Sequence, residues 1–146
     1  MKRLVIHDWR APDLGALSSL TSLRDLVIVG SSRLKSLEGL ATLRRLRSLI
    51  LFDNCGYSDL TPIESLEELE TLCLEGGFGK DLRVDSLRPL RHLRRLVRLR
   101  LASIKVGDGS LKPLHDLTSL RETFVSKKLP AEELRALGRA LPHGFV

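Results

Sequence analysis

Histidine, cysteine, one glycine-rich stretch and clustered arginine are the chemistry-bearing features of this 146-residue chain. The histidines, His7, His92, His115 and His143, are scattered, and neither they nor Cys55 and Cys73 show the close paired spacing of a zinc site. No metal or other cofactor is expected. The stretch Gly76-Gly77-Phe78-Gly79-Lys80 resembles a phosphate-cradling loop, but Asp81 stands where such a loop needs Ser or Thr, and no glycine precedes Gly79-Lys80 at the required distance. It reads instead as a flexible insertion, with Phe78 at its tip. Arg88, Arg91, Arg94, Arg95, Arg98 and Arg100 form the densest basic run. Arginines so placed either contact phosphate, releasing its counterions, or pair with carboxylates, and the neighbours that the fold gives them decide which.

Composition bounds the alternatives. With 42% hydrophobic and 29% charged residues, the chain has the make-up of one soluble domain spanning 1–146. The formal charge of +6 and pI near 9.8 keep an anionic partner in view. No apolar stretch is long enough to span a bilayer. Met1-Lys2-Arg3 leads only into Leu4-Val5-Ile6 before His7 and Asp8 intervene, so neither a signal peptide nor a membrane span is expected. Two cysteines do not make a disulfide framework, which makes reduced thiols in a cytoplasm the expected setting. Aromatics are only 4% while leucine abounds, so something regular must fill the interior.

That regularity is a tandem repeat. Apolar pairs two residues apart occur at Leu4/Ile6, Leu26/Ile28, Leu49/Leu51, Leu72/Leu74, Leu99/Leu101 and Thr123/Val125, at offsets of 22, 23, 23, 27 and 24 residues. Alternation at each pair predicts a short strand with both residues on one face. Between the pairs runs an apolar ladder of period three, as in Leu37, Leu40, Leu43, Leu46 and Leu87, Leu90, Leu93, Leu96. On a straight α-helix that period drifts by about 60° per step, so one helix could not bury every rung. A tight 3-10 or α turn followed by an extended corner keeps the leucines inward. The predicted repeats run about 1–16, 17–39, 40–62, 63–89, 90–113 and 114–129, with an insertion between Glu75 and Asp85. Leu134, Leu137 and Leu141 then fall at helical spacing, Pro130 suits a first turn, and Pro142 with Gly144 ends it. A capping helix is expected over 130–141, while the strand at residues 1–9 leaves an open edge.

These residues match the leucine-rich repeat consensus L-x-x-L-x-L of the short, 22-residue class over essentially all of residues 1–129. Asp59-Leu60-Thr61-Pro62-Ile63, Ser86-Leu87-Arg88-Pro89-Leu90 and Ser110-Leu111-Lys112-Pro113-Leu114 resemble the segments leading into the helical returns of bacterial internalin-type and phosphatase-regulating repeats. The resemblance implies an α/β fold: a right-handed solenoid with a parallel concave sheet of about six strands, short 3-10 or α returns and a capping helix at the C-terminus. It also implies uses in adhesion or phosphatase regulation. The asparagine that ties neighbouring turns in such repeats is met only by Asn54; Trp9, Ser31, Gly77, Ile104 and Lys128 hold the equivalent places. The turns after the strands are therefore expected to vary.

Within that frame the surface can be written from the sequence. Val5, Val27, Ile50, Cys73, Arg100 and Phe124 fall in one concave row, and His7, Val29, Phe52, Glu75, Ala102 and Ser126 in the next. Val5, Val27, Val29, Ile50, Phe52 and Cys73 thus make a contiguous apolar patch, rimmed by Asp53, Glu75, Arg98 and Arg100, of the kind that marks an interaction site. A non-catalytic module binding a protein partner there is the expected function. No catalytic residue is expected, because His7-Asp8 and Asp53 lie two repeats, or about 10 Å, apart. The alternative is a basic anion- or nucleic-acid-binding protein using the arginines of repeats 2 and 4, counted by their leucine ladders. Register weighs against it: Arg44 falls beside Glu67 and Arg94, Arg45 beside Glu68 and Arg95, and Arg47 beside Glu70, which predicts ion pairs between repeats. Self-association through the open N-terminal strand is a further expectation.

Overall fold

The computed structural model describes residues 1–31 and 33–144; Ser32, Phe145 and Val146, within the expected 1–146 span, lie outside the described residues. The period-three ladder of the sequence is a hydrogen-bond ladder in space. In the second return, Leu40 N–H donates to Leu37 O (3.1 Å), Leu43 to Leu40 (2.9 Å) and Leu46 to Leu43 (3.0 Å). The other four returns repeat this rung by rung, as in Ile63 to Leu60 (2.9 Å), Leu66 to Ile63 (3.0 Å) and Leu69 to Leu66 (3.1 Å). Residues three apart in such turns nearly eclipse, so every rung points the same way. All are buried except Leu20, which is partly exposed.

Each return begins with a side-chain cap. Asp13, Ser36, Asp59, Ser86 and Ser110 each accept the backbone N–H two residues on, at 2.9, 3.1, 2.9, 3.1 and 3.3 Å. Short oxygen-bearing side chains do this because the first N–H groups of a turn have no partner within it. Pro62, Pro89 and Pro113 follow in three of the returns, where a missing N–H costs nothing.

Strands β1 (Arg3–His7), β2 (Asp25–Val29), β3 (Ser48–Phe52), β4 (Thr71–Glu75), β6 (Arg98–Ala102) and β8 (Glu122–Val125) pair in parallel, in the order β1-β2-β3-β4-β6-β8. Between them β5 (Leu82–Val84) and β7 (Ile104–Val106) form a second, two-stranded parallel sheet. The α-helix α1 (Ala131–Ala140) closes the C-terminal end with Leu137 buried, and Glu133 accepts the Leu111 N–H at 3.0 Å, tying the cap to the last return. At the other end β1 is an edge strand, and Leu4 and Ile6 stay partly exposed where Leu26 and Ile28 are fully buried.

Two expectations need correcting. The segment after β4 is not a flexible loop. Gly77 and Lys80 bridge across a tight turn, Gly77 N–H donates to Cys55 Sγ (2.9 Å), Cys55 S–H donates to Lys80 O (3.4 Å), and Leu82 N–H donates to Ser103 O (2.8 Å). Asp81 then pairs with Lys128 at 2.9 Å and Lys105 at 3.8 Å. Its polar composition concealed one apolar pair, Leu82 and Val84, which is buried against Ile104. The second correction concerns the ion pairs: although the register is as expected, no pair forms between Arg44, Arg45 or Arg47 and Glu67, Glu68 or Glu70, nor between these glutamates and Arg94 or Arg95, among the described residues. On exposed turns such a pair gains only about 0–1 kcal/mol and must hold two long side chains still.

One of the missing asparagines has a substitute. Asn54, fully buried, donates to Ile28 O of the preceding repeat (3.1 Å) and to Phe52 O (2.8 Å). One repeat earlier Ser31 donates to Trp9 O of the preceding repeat (2.8 Å) and accepts from Leu34 N–H (3.2 Å), so a shorter side chain also ties neighbouring turns.

Candidate functional site

Register brings the candidate residues together as the alternation requires. Val5 pairs with Val27, Val27 with Ile50, Ile50 with Cys73, Cys73 with Arg100 and Arg100 with Phe124. The adjoining row runs His7, Val29, Phe52, Glu75, Ala102. Leucines at the intervening positions anchor these strands from behind, so the rows stand on a rigid floor. Val5 and Phe52 are 45% and 44% exposed, and Val27, Val29, Ile50 and Cys73 between them are half-buried by one another. Four of the six strands end in a left-handed kink, with φ of 57° at Asp8, 72° at Gly30, 58° at Asp53 and 46° at Ser103. Asp tolerates that region better than most side chains, so Asp53 is set at the strand end by the backbone.

The two arginines of the rim, Arg98 and Arg100, are not free. Arg98 Nε donates to Glu122 (2.8 Å) and Arg100 Nε to Glu75 (3.1 Å), while the Arg100 guanidinium lies 4.5 Å from the centroid of the Phe124 ring. The sheet rows themselves carry Arg3, Arg98 and Arg100 against Asp25, Glu75 and Glu122. The face is therefore electrically balanced around an apolar centre. Phe124, which sequence reasoning placed in its row without choosing it, joins Ile50, Cys73 and Arg100 around a recess of about 360 Å³. The signal was its position beside Arg100.

Chemistry at the thiols is muted. Cys55 and Cys73 are both unpaired with each other. Burial, reinforced by Glu75 and opposed by Arg100, pushes the Cys73 thiol up to about 11, so at neutral pH it is a protonated, weakly nucleophilic group. Among the described residues, no three His, Cys, Asp or Glu side chains cluster as metal ligands would. No described helix is long and apolar enough to cross a membrane.

A sheet of this order, with one 3-10 return per strand, invites comparison with solved folds. An internalin (inlF) from Listeria monocytogenes superimposes with a TM-score of 0.81 over 96% of this chain, at 22% identity. The fold is a leucine-rich repeat solenoid. An internalin C2 (inlC2) from the same organism matches with a TM-score of 0.61 over 92% of the chain, also at 22% identity. The chain spans 39% of the first internalin and 56% of the second. No family model matches the sequence, and no curated protein does. The likeness extends to the leucine-rich repeat fold and stops there, since at this identity the surface residues are this chain's own.

Proposed function

We propose that this leucine-rich repeat chain is a single non-catalytic domain that holds a protein partner against the open face of its sheet. The carrying observation is the in-register patch of Val5, Val27, Val29, Ile50, Phe52 and Cys73 on a face that no other part of the described chain covers. Contiguous exposed apolar surface on a rigid floor is what an interface core requires, and the paired charges Arg98-Glu122 and Arg100-Glu75 beside Asp53 supply a polar rim. β-branched residues suit strands on propensity alone, but propensity does not call for Phe52 to stand 44% exposed among them. The test is affinity capture with mass spectrometry from the source cell's extract. Phe52→Asp abolishes capture while the far-ultraviolet circular dichroism spectrum is unchanged; capture that survives the substitution overturns the reading.

One observation favours the anion-binding reading more than the sequence did. Arg44, Arg45, Arg47, Arg94 and Arg95 are exposed and carry no carboxylate partner among the described residues. Against it, Arg88 and Arg91 share grooves with Asp59, Glu64 and Asp85 on one side and Asp108 and Asp116 on the other. No aromatic residue interleaves the arginines to stack on bases. Retention of duplex or single-stranded nucleic acid that falls steeply with salt supports this reading, and no retention at low salt removes it. Self-association has its own support: the sheet ladder engages Lys2 and Asp8, so the peptide groups of Arg3, Val5 and His7 face the open edge of β1. Sedimentation showing a monomer at high concentration counts against it.

A further inference from the structure

The strongest unassigned feature lies at the C-terminal end of β3, where the turn after β4 folds back beside the sheet. Phe52 is 44% exposed there, and Phe78, at the tip of the Gly77–Lys80 turn, is fully exposed. Both line one recess of about 360 Å³ together with Asp53, Glu75, Gly77 and Ser103. Its lining carries two carboxylates and no lysine or arginine. Glu75 is already engaged by Arg100. Asp53 makes no ion pair among the described residues. Its carboxylate rests against the turn, because a Cβ at Gly77 would come within 2.6 Å of Asp53 Oδ1.

The two aromatic residues stand on separately held segments. Phe52 belongs to the main sheet, whereas the Phe78 turn is pinned by Gly76 N–H to Ala102 O (3.1 Å), by the Gly77 N–H to Cys55 contact (2.9 Å) and by the Asp81–Lys128 pair (2.9 Å). A fully exposed phenyl ring on an ordered turn is unfavourable in water, and it becomes favourable when a ligand group covers it.

Resting on the sheet-face reading above, we propose that this recess takes a lysine or arginine side chain of the protein partner, its apolar stem between Phe52 and Phe78 and its cationic head on Asp53. The match is one of charge and shape. Aromatic faces attract a cation through their quadrupole, and a long basic side chain lays its methylenes along apolar surface while its head reaches a carboxylate. A purely apolar side chain would cover the rings equally well but would strip water from Asp53 and leave it without a partner, which is unfavourable.

The experiment selects binders for the full chain from a phage-displayed library of random dodecapeptides, then resynthesises the tightest with each basic residue replaced by norleucine. The expected result is a shared lysine or arginine next to an apolar residue, and about a tenfold loss of affinity on norleucine replacement. On Asp53→Asn and Phe78→Ser that replacement should cost far less. Circular dichroism and urea midpoints for both variants confirm that they are folded. Enriched peptides lacking a basic residue, norleucine forms that bind as tightly, or no enrichment at all overturn the proposal. Ile50→Arg separates the two readings. If it abolishes peptide binding while Asp53→Asn and Phe78→Ser do not, the sheet face binds and the basic-residue recess is wrong. If only the recess variants weaken binding, the patch reading fails instead.

Discussion

Tyr57 and Cys73 are the two ionisable side chains whose surroundings most oppose their charged forms. Tyr57 is 1% exposed, its hydroxyl has no partner, and burial drives its acidity far below that of a free phenol, with the thiols of Cys55 and Cys73 adding to the effect. Burial likewise pushes the thiol of Cys73, half-buried on the sheet, up to about 11. Both folded values lie above the unfolded ones, so the stability they confer is complete below the ordinary thiol and phenol ranges, roughly pH 8.5 and 10, and is lost as pH rises through the folded values. Urea unfolding from pH 8 to 11 should show stability falling, with a slope for Tyr57 of at most about 1.4 kcal/mol per pH unit. Tyr57→Phe flattens the upper part of that fall, and Cys73→Ala the lower. An unchanged slope in both variants would show that neither group is responsible. The repeat register placed Cys73 in its sheet row, but Tyr57's burial was not legible in the sequence, because nothing local to it says how many leucines surround it.

Among the elements, the returns were the more legible, and their capping residues are their most testable part. Asp59 accepts both the Thr61 N–H (2.9 Å) and the Thr61 hydroxyl (2.6 Å), and those bonds, side-chain first, hold its carboxyl below the usual range against a small opposing effect of burial. Replacing such a cap by alanine costs about 1 kcal/mol at neutral pH. Because the folded value is depressed, that contribution is present above about pH 4 and lost as pH falls through the folded value. Chemical denaturation of Asp59→Ala should therefore show a deficit at pH 7 that closes toward pH 3. The insertion was the less legible element. Its glycines and charges read as flexible, yet Leu82 and Val84 found Ile104 and Val106 one repeat away, and no local pattern announces a two-stranded sheet between distant segments.

In the molecule as a whole, each repeat packs on its neighbours, so stability should pass along the coil by adjacency. Leu137 is the fully buried residue of α1, and Leu129 and Leu141 beside it are nearly so. Leu137→Ala removes about 2–5 kcal/mol from that end. Hydrogen exchange should then lose protection first over residues 111–141, while β2 to β4 exchange as in the wild type. Uniform loss along the chain would mean that the coil unfolds as one unit.

The sequence by itself determined the coil. A strict period of three in the returns and of two in the strands leaves one geometry that turns the leucines inward, and the five backbone ladders realise it, with Leu20 the one rung left partly exposed. The same counting set the rows of the sheet, since parallel registers follow from equivalent places in each repeat. Only the tertiary structure decided what the long side chains and the insertion do. Arg98 and Arg100 turned to Glu122 and Glu75 across the sheet, whereas Arg44, Arg45 and Arg47 stayed in solvent despite glutamates in register. Periodicity constrains groups whose burial is worth several kilocalories. It leaves open the choice among exposed contacts, each worth about 1 kcal/mol or less, and the position of a phenyl ring such as Phe78 on a turn held by another repeat.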